Sequence, residues 1–331
     1  MLWARSLSLA AVLVLGGATP TVADERSCLG AICVEASDEG DTVTFHAING
    51  SPAPVAVQIQ VQTKGLQPYP MLPEIQLVPA GGLRRIAQYV PSSPDAGWSY
   101  RYAWSWIVGD PTAKHNDRHR YRMPFGGREQ RKLSQGNDEP FTHNGEHRYA
   151  FDFAMPIGTP ILAARSGTVI LVNDGYAKNG LSNDYLSKAN AIYILHDDRT
   201  IGIYAHLDAG SGVRQGMVVR VGDLIGFSGN TGFSSGPHLH FAVWKPDAQN
   251  HAQTLPIRFE GGPNGYVPRT GDTIAPSCHE DGIPCPASAR MDEGSHPDRR
   301  HVQRSEDGTC RCSNGSVITT HLPCRMVCPR K

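Results

Sequence analysis

"TGFSSGPHLHF", residues 231–241, sets two histidines either side of one leucine, directly after a turn of Gly, Ser and Pro. In a strand, side chains two positions apart point to the same face, about 6–7 Å apart along the chain. His238 and His240 then share one wall of a site while Leu239 turns into a core. Two imidazoles at that separation suit a metal ligand beside a group that acts on substrate. The competing reading is a surface pair without purpose, since the chain carries 14 histidines. The surrounding sequence repeats the strand pattern in "TPILAARSGTVILV", "AIYILHD", "IGIYAHLD", "DLIGFSG" and "HLHFAVW", with Gly-rich turns between them and no long helical period. The fold class expected from this is mainly β.

Working outward, residues 24–125 also read as strands. In "VAVQIQVQ", Val57, Ile59 and Val61 alternate with Gln58, Gln60 and Gln62, as in a half-buried strand. In "SYRYAWSW", Tyr100, Tyr102, Trp104 and Trp106 fall on one face. Such a stripe reads as core, with a sugar-stacking platform as the alternative. Turn signals in "NGSPAP" and "SSPDAG" separate the runs, so an N-terminal β-sandwich is expected. Residues 126–140, "GGREQRKLSQGNDEP", read as a polar linker, and residues 141–265 as a second β domain. The polar stretch 174–190 is expected to be a loop at the rim of a site or a plain surface insertion. From 266 to 331 the composition shifts to a linker and a small module too poor in apolar residues to fold without its cysteines.

Charge and cysteine usage bound the function. Thirty-one basic residues balance 31 acidic ones, which argues against a nucleic-acid or membrane-surface binder. Residues 1–23 carry Arg5, an apolar centre, and small Thr21 and Ala23 before Asp24; they read as a secretory signal rather than a membrane anchor. Export, periplasmic or secreted, is therefore expected. Eight cysteines then read as disulfides, Cys28 with Cys33 by proximity and the other six among themselves in the C-terminal module. A cysteine zinc site is the lesser alternative, because Cys310-Arg-Cys312 lacks the usual ligand spacing.

Three motifs occur in order: "FTHNGEHRYAFDFAMPIGTPILAARSGTVI", "IYAHL" and "GNTGFSSGPHLHF". Together, over residues 141–245, they resemble the lysostaphin-like M23 zinc metallopeptidases, which hydrolyse peptide bonds in peptidoglycan. The resemblance implies an antiparallel β-sheet domain with an open groove. It also implies a zinc ion held by Asp152, His240 and a histidine upstream of Asp152. The common His-x-x-x-Asp spacing is missing, since Arg148 stands four before Asp152; a longer "T-H-x-G" variant makes His143 the ligand, with His147 as the rival. His206 and His238 match the catalytic positions. Peptidoglycan is the implied partner, and nothing bears on oligomeric state.

The residue chemistry agrees with that resemblance. Imidazole and carboxylate suit zinc, and three protein ligands with an open position mark a catalytic site. No His-Glu-x-x-His helix supplies a glutamate base, so histidines must handle the proton. "GFSSG" resembles a nucleophile elbow at Ser234, but Pro237 and an alternating strand follow where a helix is needed. His196 reads as a strand-end residue or a support for the site, and His115 and His119 as loop residues. Two other functions stay open: an inactive relative that binds cell wall or activates another hydrolase, and an exported protease acting on a Gly-rich protein.

Overall fold

The computed structural model describes residues 25–276 except 40–41, 95–96, 128 and 262, together with the strand backbones of Val14–Leu15, Thr309–Arg311 and Val317–Thr319. Apolar alternation in the first part produces β1 (Glu25–Leu29), β2 (Ile32–Glu39), β3 (Thr42–Asn49), β4 (Val55–Lys64), β5 (Leu66–Pro68), β6 (Ile75–Val78), β7 (Leu83–Pro91) and β8 (Ser99–Val108). They form two sheets, ordered β1-β2-β3-β7-β5 and β8-β4-β6, the second extended by Val14–Leu15 beside β8. Their inner faces meet as a sandwich. Phe45 of β3 packs edge-on against Tyr100 and Tyr102 of β8, with ring centroids 5.5 and 5.1 Å away. Tyr100, Tyr102 and Trp104 are all buried, so most of the aromatic stripe is core. A disulfide joins Cys28 and Cys33, which stand directly opposite each other on β1 and β2. The signal segment, apart from Val14–Leu15, and the side chains of the other six cysteines lie outside the described residues.

The second part contains β9 (Arg131–Gln135), β10 (Phe151–Ala154), β11 (Pro160–Leu162), β12 (Gly167–Asn173), β13 (Ala191–Leu195), β14 (Ile201–Ala205), β15 (Val218–Val219), β16 (Leu224–Phe227), β17 (His238–Pro246), β18 (Ala252–Thr254) and β19 (Thr273–Ile274). Nine of these make one sheet ordered β15-β12-β13-β14-β17-β10-β9-β19, with β18 paired to β17. Every neighbouring pair in it is antiparallel. Strands β11 and β16 pair separately. Among the described residues no helix is long and apolar enough to cross a membrane.

The connector expected at 126–140 carries a strand. Leu133 of β9 and Ile274 of β19 are both buried in the core of the second sheet. Leu133 is a single apolar residue in a polar run and Ile274 stands beside only Ala275 and Pro276, so no alternation announced either strand; the neighbouring strands supply the pattern instead. Tyr121, Met123 and Phe125 likewise join this core rather than that of the sandwich.

The faces of the large sheet are covered differently. On one, Phe151, Phe153, Leu239, Phe241 and Val243 pack with Tyr121 and Phe259. On the other, Tyr193, Ile203, Ala205, Ala242 and Trp244 pack against Ala53, Ala56 and Ile107 of the sandwich. Burial of a side chain such as Ile107 contributes about 1.5–3 kcal/mol. The Lys245 ammonium donates to the carbonyls of Pro111 and Ala113 at 3.0 and 2.9 Å, and Arg199 pairs with the buried Asp110. The sandwich therefore seals one end of that face, and the polar residues cluster at the other.

Candidate functional site

The two-residue period of β10 and β17 builds the site. Phe151, Phe153, Leu239 and Phe241 go into the core, which turns Asp152, His238 and His240 to the opposite face. Register then brings them together: Asp152 stands opposite His240, Ala154 opposite His238, and Ala205 of β14 opposite His240 on its other side. His206 follows Ala205 directly, at φ +61°, a left-handed conformation in which it leaves the strand.

His143 enters from the loop ahead of β10 and is fully buried. Its Nδ1 lies 2.7 Å from the Gly136 carbonyl. A carbonyl only accepts, so Nδ1 carries the proton and Nε2 is the basic nitrogen. That Nε2 is 3.2 Å from Asp152 Oδ1 but makes no aligned hydrogen bond, a buried polar atom left without one. His240 Nδ1 is 2.8 Å from the same carboxylate oxygen. One donor atom each from His143, Asp152 and His240 lies within 4.8 Å of the others. Donors on a tetrahedral zinc, with bonds of about 2.0 Å, stand about 3.3 Å apart. Two imidazoles and a carboxylate at these spacings, one nitrogen orphaned, fit a divalent cation.

The electrostatics point the same way. Burial alone would raise the Asp152 carboxyl, but the close approach of the His143 imidazole and the hydrogen bond from His240 hold it well below the usual carboxylate range. Burial works against charging His143, and the Asp152 carboxylate and Gly136 carbonyl outweigh it, raising its pKa. For His240 burial prevails over the same carboxylate and lowers it.

His206 and His238 stand beside the trio, ring centroids 4.5 Å apart, with His206 6.0 Å from His240. His206 Nδ1 donates to the Thr231 carbonyl at 2.6 Å and His238 Nδ1 to the Gly236 carbonyl at 2.8 Å. Each is left with Nε2 as its basic atom. Burial first, then His238 and His240, push His206 down to about 3, so it is neutral at pH 7. The Thr231 turn is held in place, its hydroxyl donating to the Leu207 carbonyl at 2.9 Å and accepting the Asn190 N–H at 2.9 Å. Gly232 follows at φ +79°, where an added Cβ would fall 2.6 Å from that of Ala189. Only glycine fits there.

His147 ends the short 3-10 turn Gly145–His147 and lines the same groove, its ring centroid 6.4 Å from that of His240. Arg148 turns away to pair with Asp138. His196 is buried and bonded to the Thr200 hydroxyl at 3.0 Å; it sits at the far end of β14 from His206. His115 and His119 pack on Tyr121 there. Ser234 is buried within its own turn, its hydroxyl 2.7 Å from Asn230 Oδ1, and a strand rather than a helix follows. A groove of about 590 Å³ reaches Asp152 and His240, with His143 buried beneath them, and is lined by Gln135, Phe141, Thr142, Leu181, Leu186 and Phe233. Leu181 and Leu186 come from the 174–190 loop. Sequence reasoning missed Gly136, Thr231 and Phe141: a backbone carbonyl leaves no side-chain signature, and Phe141 reads as an ordinary apolar residue.

The profile of Peptidase family M23 matches residues 146–254. The chain carries an M23 peptidase domain. Lysostaphin from Staphylococcus simulans is 34% identical over 142 residues, 42% of this chain and 26% of lysostaphin. Peptidoglycan DD-endopeptidase ShyA from Vibrio cholerae serotype O1 is 38% identical over 102 residues, 30% of this chain and 20% of ShyA. The solved catalytic domain of lysostaphin from S. simulans is 34% identical, covers 35% of this chain and 79% of that domain, and superposes with a TM-score of 0.27. The matches thus span well under half of these curated relatives. The M23 stretch contains Asp152, His206, His238 and His240, while His143 lies just ahead of it.

Proposed function

We propose that this chain is an exported zinc endopeptidase that hydrolyses peptide bonds in peptidoglycan stems or cross-bridges. The observation that carries the reading is the convergence of His143, Asp152 and His240 under the groove, with two further histidines within ring-contact distance of one another beside them. The names of the M23 relatives, metalloprotease and peptidoglycan endopeptidase among them, support the substrate class. His143, Asp152 and His240 would hold the ion. When bound, zinc supplies Lewis acidity toward a water and toward the scissile carbonyl.

The remaining work falls to the chain. Gly136 orients His143, and the β10–β17 register orients Asp152 against His240. His206 and His238, each fixed by a backbone carbonyl at Nδ1, present Nε2 to accept a proton or to donate to a developing oxyanion. Phe141, Leu181 and Phe233 wall the groove and limit water around the reacting bond.

Digestion of purified peptidoglycan, with mass spectrometry of the fragments, tests the reading. New amino termini within stems or bridges are expected, lost with chelator and restored by zinc. Intact peptidoglycan with zinc-loaded protein would overturn it. A second reading, an exported protease on a Gly-rich protein, is favoured by the uncharged side chains walling the groove, such as Gln135, Thr142, Leu181 and Phe233. Glycine-rich peptides in the same assay separate the two.

A further inference from the structure

The turn Arg269–Asp272 reaches the site from outside the stretch that matches the family. Its Thr270 hydroxyl accepts the Gly136 N–H at 2.9 Å and donates to the Glu139 carboxylate at 2.6 Å. Gly136 in turn offers its carbonyl to His143 Nδ1 at 2.7 Å. Hydrogen bonds therefore lead from Glu139 through Thr270 to the Gly136 N–H, and from the Gly136 carbonyl to His143, the two halves joined at the Gly136 Cα.

The turn is tied down on its own account. The Gly271 N–H donates to the Leu133 carbonyl, and the Leu133 N–H to the Asp272 carbonyl, both at 2.9 Å. The Asp272 carboxylate accepts the Arg269 N–H at 2.8 Å. Strand β19 follows at once, paired to β9, with Ile274 buried in the core. The Thr270 hydroxyl is thus carried on a fixed strap.

Gly136 needs such an anchor. A Cβ there would come 3.3 Å from Thr270 Oγ1, tighter than side chains ordinarily pack, and would touch Leu133 Cδ2 at 3.4 Å. A residue without Cβ has two freely turning torsions, so both peptide planes that meet at the Gly136 Cα are able to swing. The Thr270 hydroxyl holds the preceding plane through its N–H and so fixes the Cα from which the carbonyl that receives His143 projects.

We propose that Thr270 is a positioning residue for His143, setting through Gly136 the orientation of a metal-holding imidazole. The proposal rests on the reading of His143 as a ligand. Groups bonded directly to a ligand imidazole change metal affinity by 10–100-fold, so one link further out an effect of about 3–10-fold is expected. Thr270 is exposed, and replacing it opens no cavity.

The test compares wild type, Thr270→Val, Thr270→Ser and His143→Ala in the full chain. Zn²⁺ affinity is measured by competition with a chromophoric chelator, and Co²⁺ is used as a spectroscopic stand-in. Thr270→Val should weaken Zn²⁺ binding by about 3–10-fold and alter the Co²⁺ absorption bands. Thr270→Ser should restore both, and the metal-free melting temperatures should agree. Wild-type Zn²⁺ affinity in Thr270→Val, or a loss matched only by loss of folded protein, overturns the proposal. Should His143→Ala keep wild-type Zn²⁺ affinity, the ligand reading falls and the proposal with it. Loss in His143→Ala without loss in Thr270→Val sinks the positioning role alone.

Discussion

His238 and His240 are two positions apart on one strand face, and they should fail in different ways. His240→Ala removes a donor from the trio, so metal content and hydrolysis should disappear together. His238→Ala and His206→Ala should keep most of their metal and lose about 10²–10⁴-fold in rate, the usual cost of a lost acid/base or oxyanion-stabilising group. Metal analysis, melting temperature and peptidoglycan hydrolysis on the same preparations decide it. A folded, metal-loaded and fully active His238→Ala would remove that residue from the mechanism. His143→Ala should empty the site and His147→Ala should leave its metal content unchanged; the reverse outcome would make His147 the ligand. A second residue-scale expectation concerns acid. Burial first, then Arg165, pushes His196 down to about 3, well below its unfolded value of about 6.5. Its folded pKa is the lower one, so between those values the unfolded chain takes up a proton that the folded chain refuses. Stability should fall as pH drops through that window, by about 2 kcal/mol from pH 6.5 to 5 for this one group. Urea unfolding across that range should show a slope reduced by about one proton in His196→Gln. An unchanged slope would show that His196 is not held neutral.

Among the elements, the short strand Gly232–Phe233 carries the sharpest steric demand. At φ +79°, with Ala189 pressed against it, Gly232→Ala combines a left-handed penalty of about 1–2 kcal/mol with a direct clash. The displaced turn would drag the Thr231 carbonyl from His206, so activity should fall further than stability. Denaturant unfolding beside kinetic assays would reveal this; equal losses would mean the turn only supports the fold. The strands that carry chemistry were legible from their residues. Phe151 and Phe153 bracket Asp152, and Leu239 and Phe241 bracket His240, so alternation alone assigns the two faces. His143 is another matter. It lies on a loop, no period passes through it, and the Gly136 carbonyl that orients it belongs to a residue with no side chain to read. Resemblance to a family proposed it where spacing alone preferred no histidine. Strand β9 was illegible for a related reason: with Leu133 as its one buried residue, its burial depends on partners distant in the chain.

Across the whole molecule, the two β parts share one apolar seam, in which Ile107, Ala53 and Ala56 meet Tyr193, Ile203 and Trp244. Cutting Ile107 back to alanine should cost about 2–5 kcal/mol and lower the melting of both parts together. Calorimetry should then record one transition that moves, whereas two transitions, one of them unmoved, would show the parts to be independent. A groove-bearing part bound this way is not a portable cassette. A chain begun at residue 114 would leave Trp244 and its neighbours naked to water, a ready-made sticky surface that invites self-association. Grafting the groove onto another carrier would first require repainting that underside with polar residues.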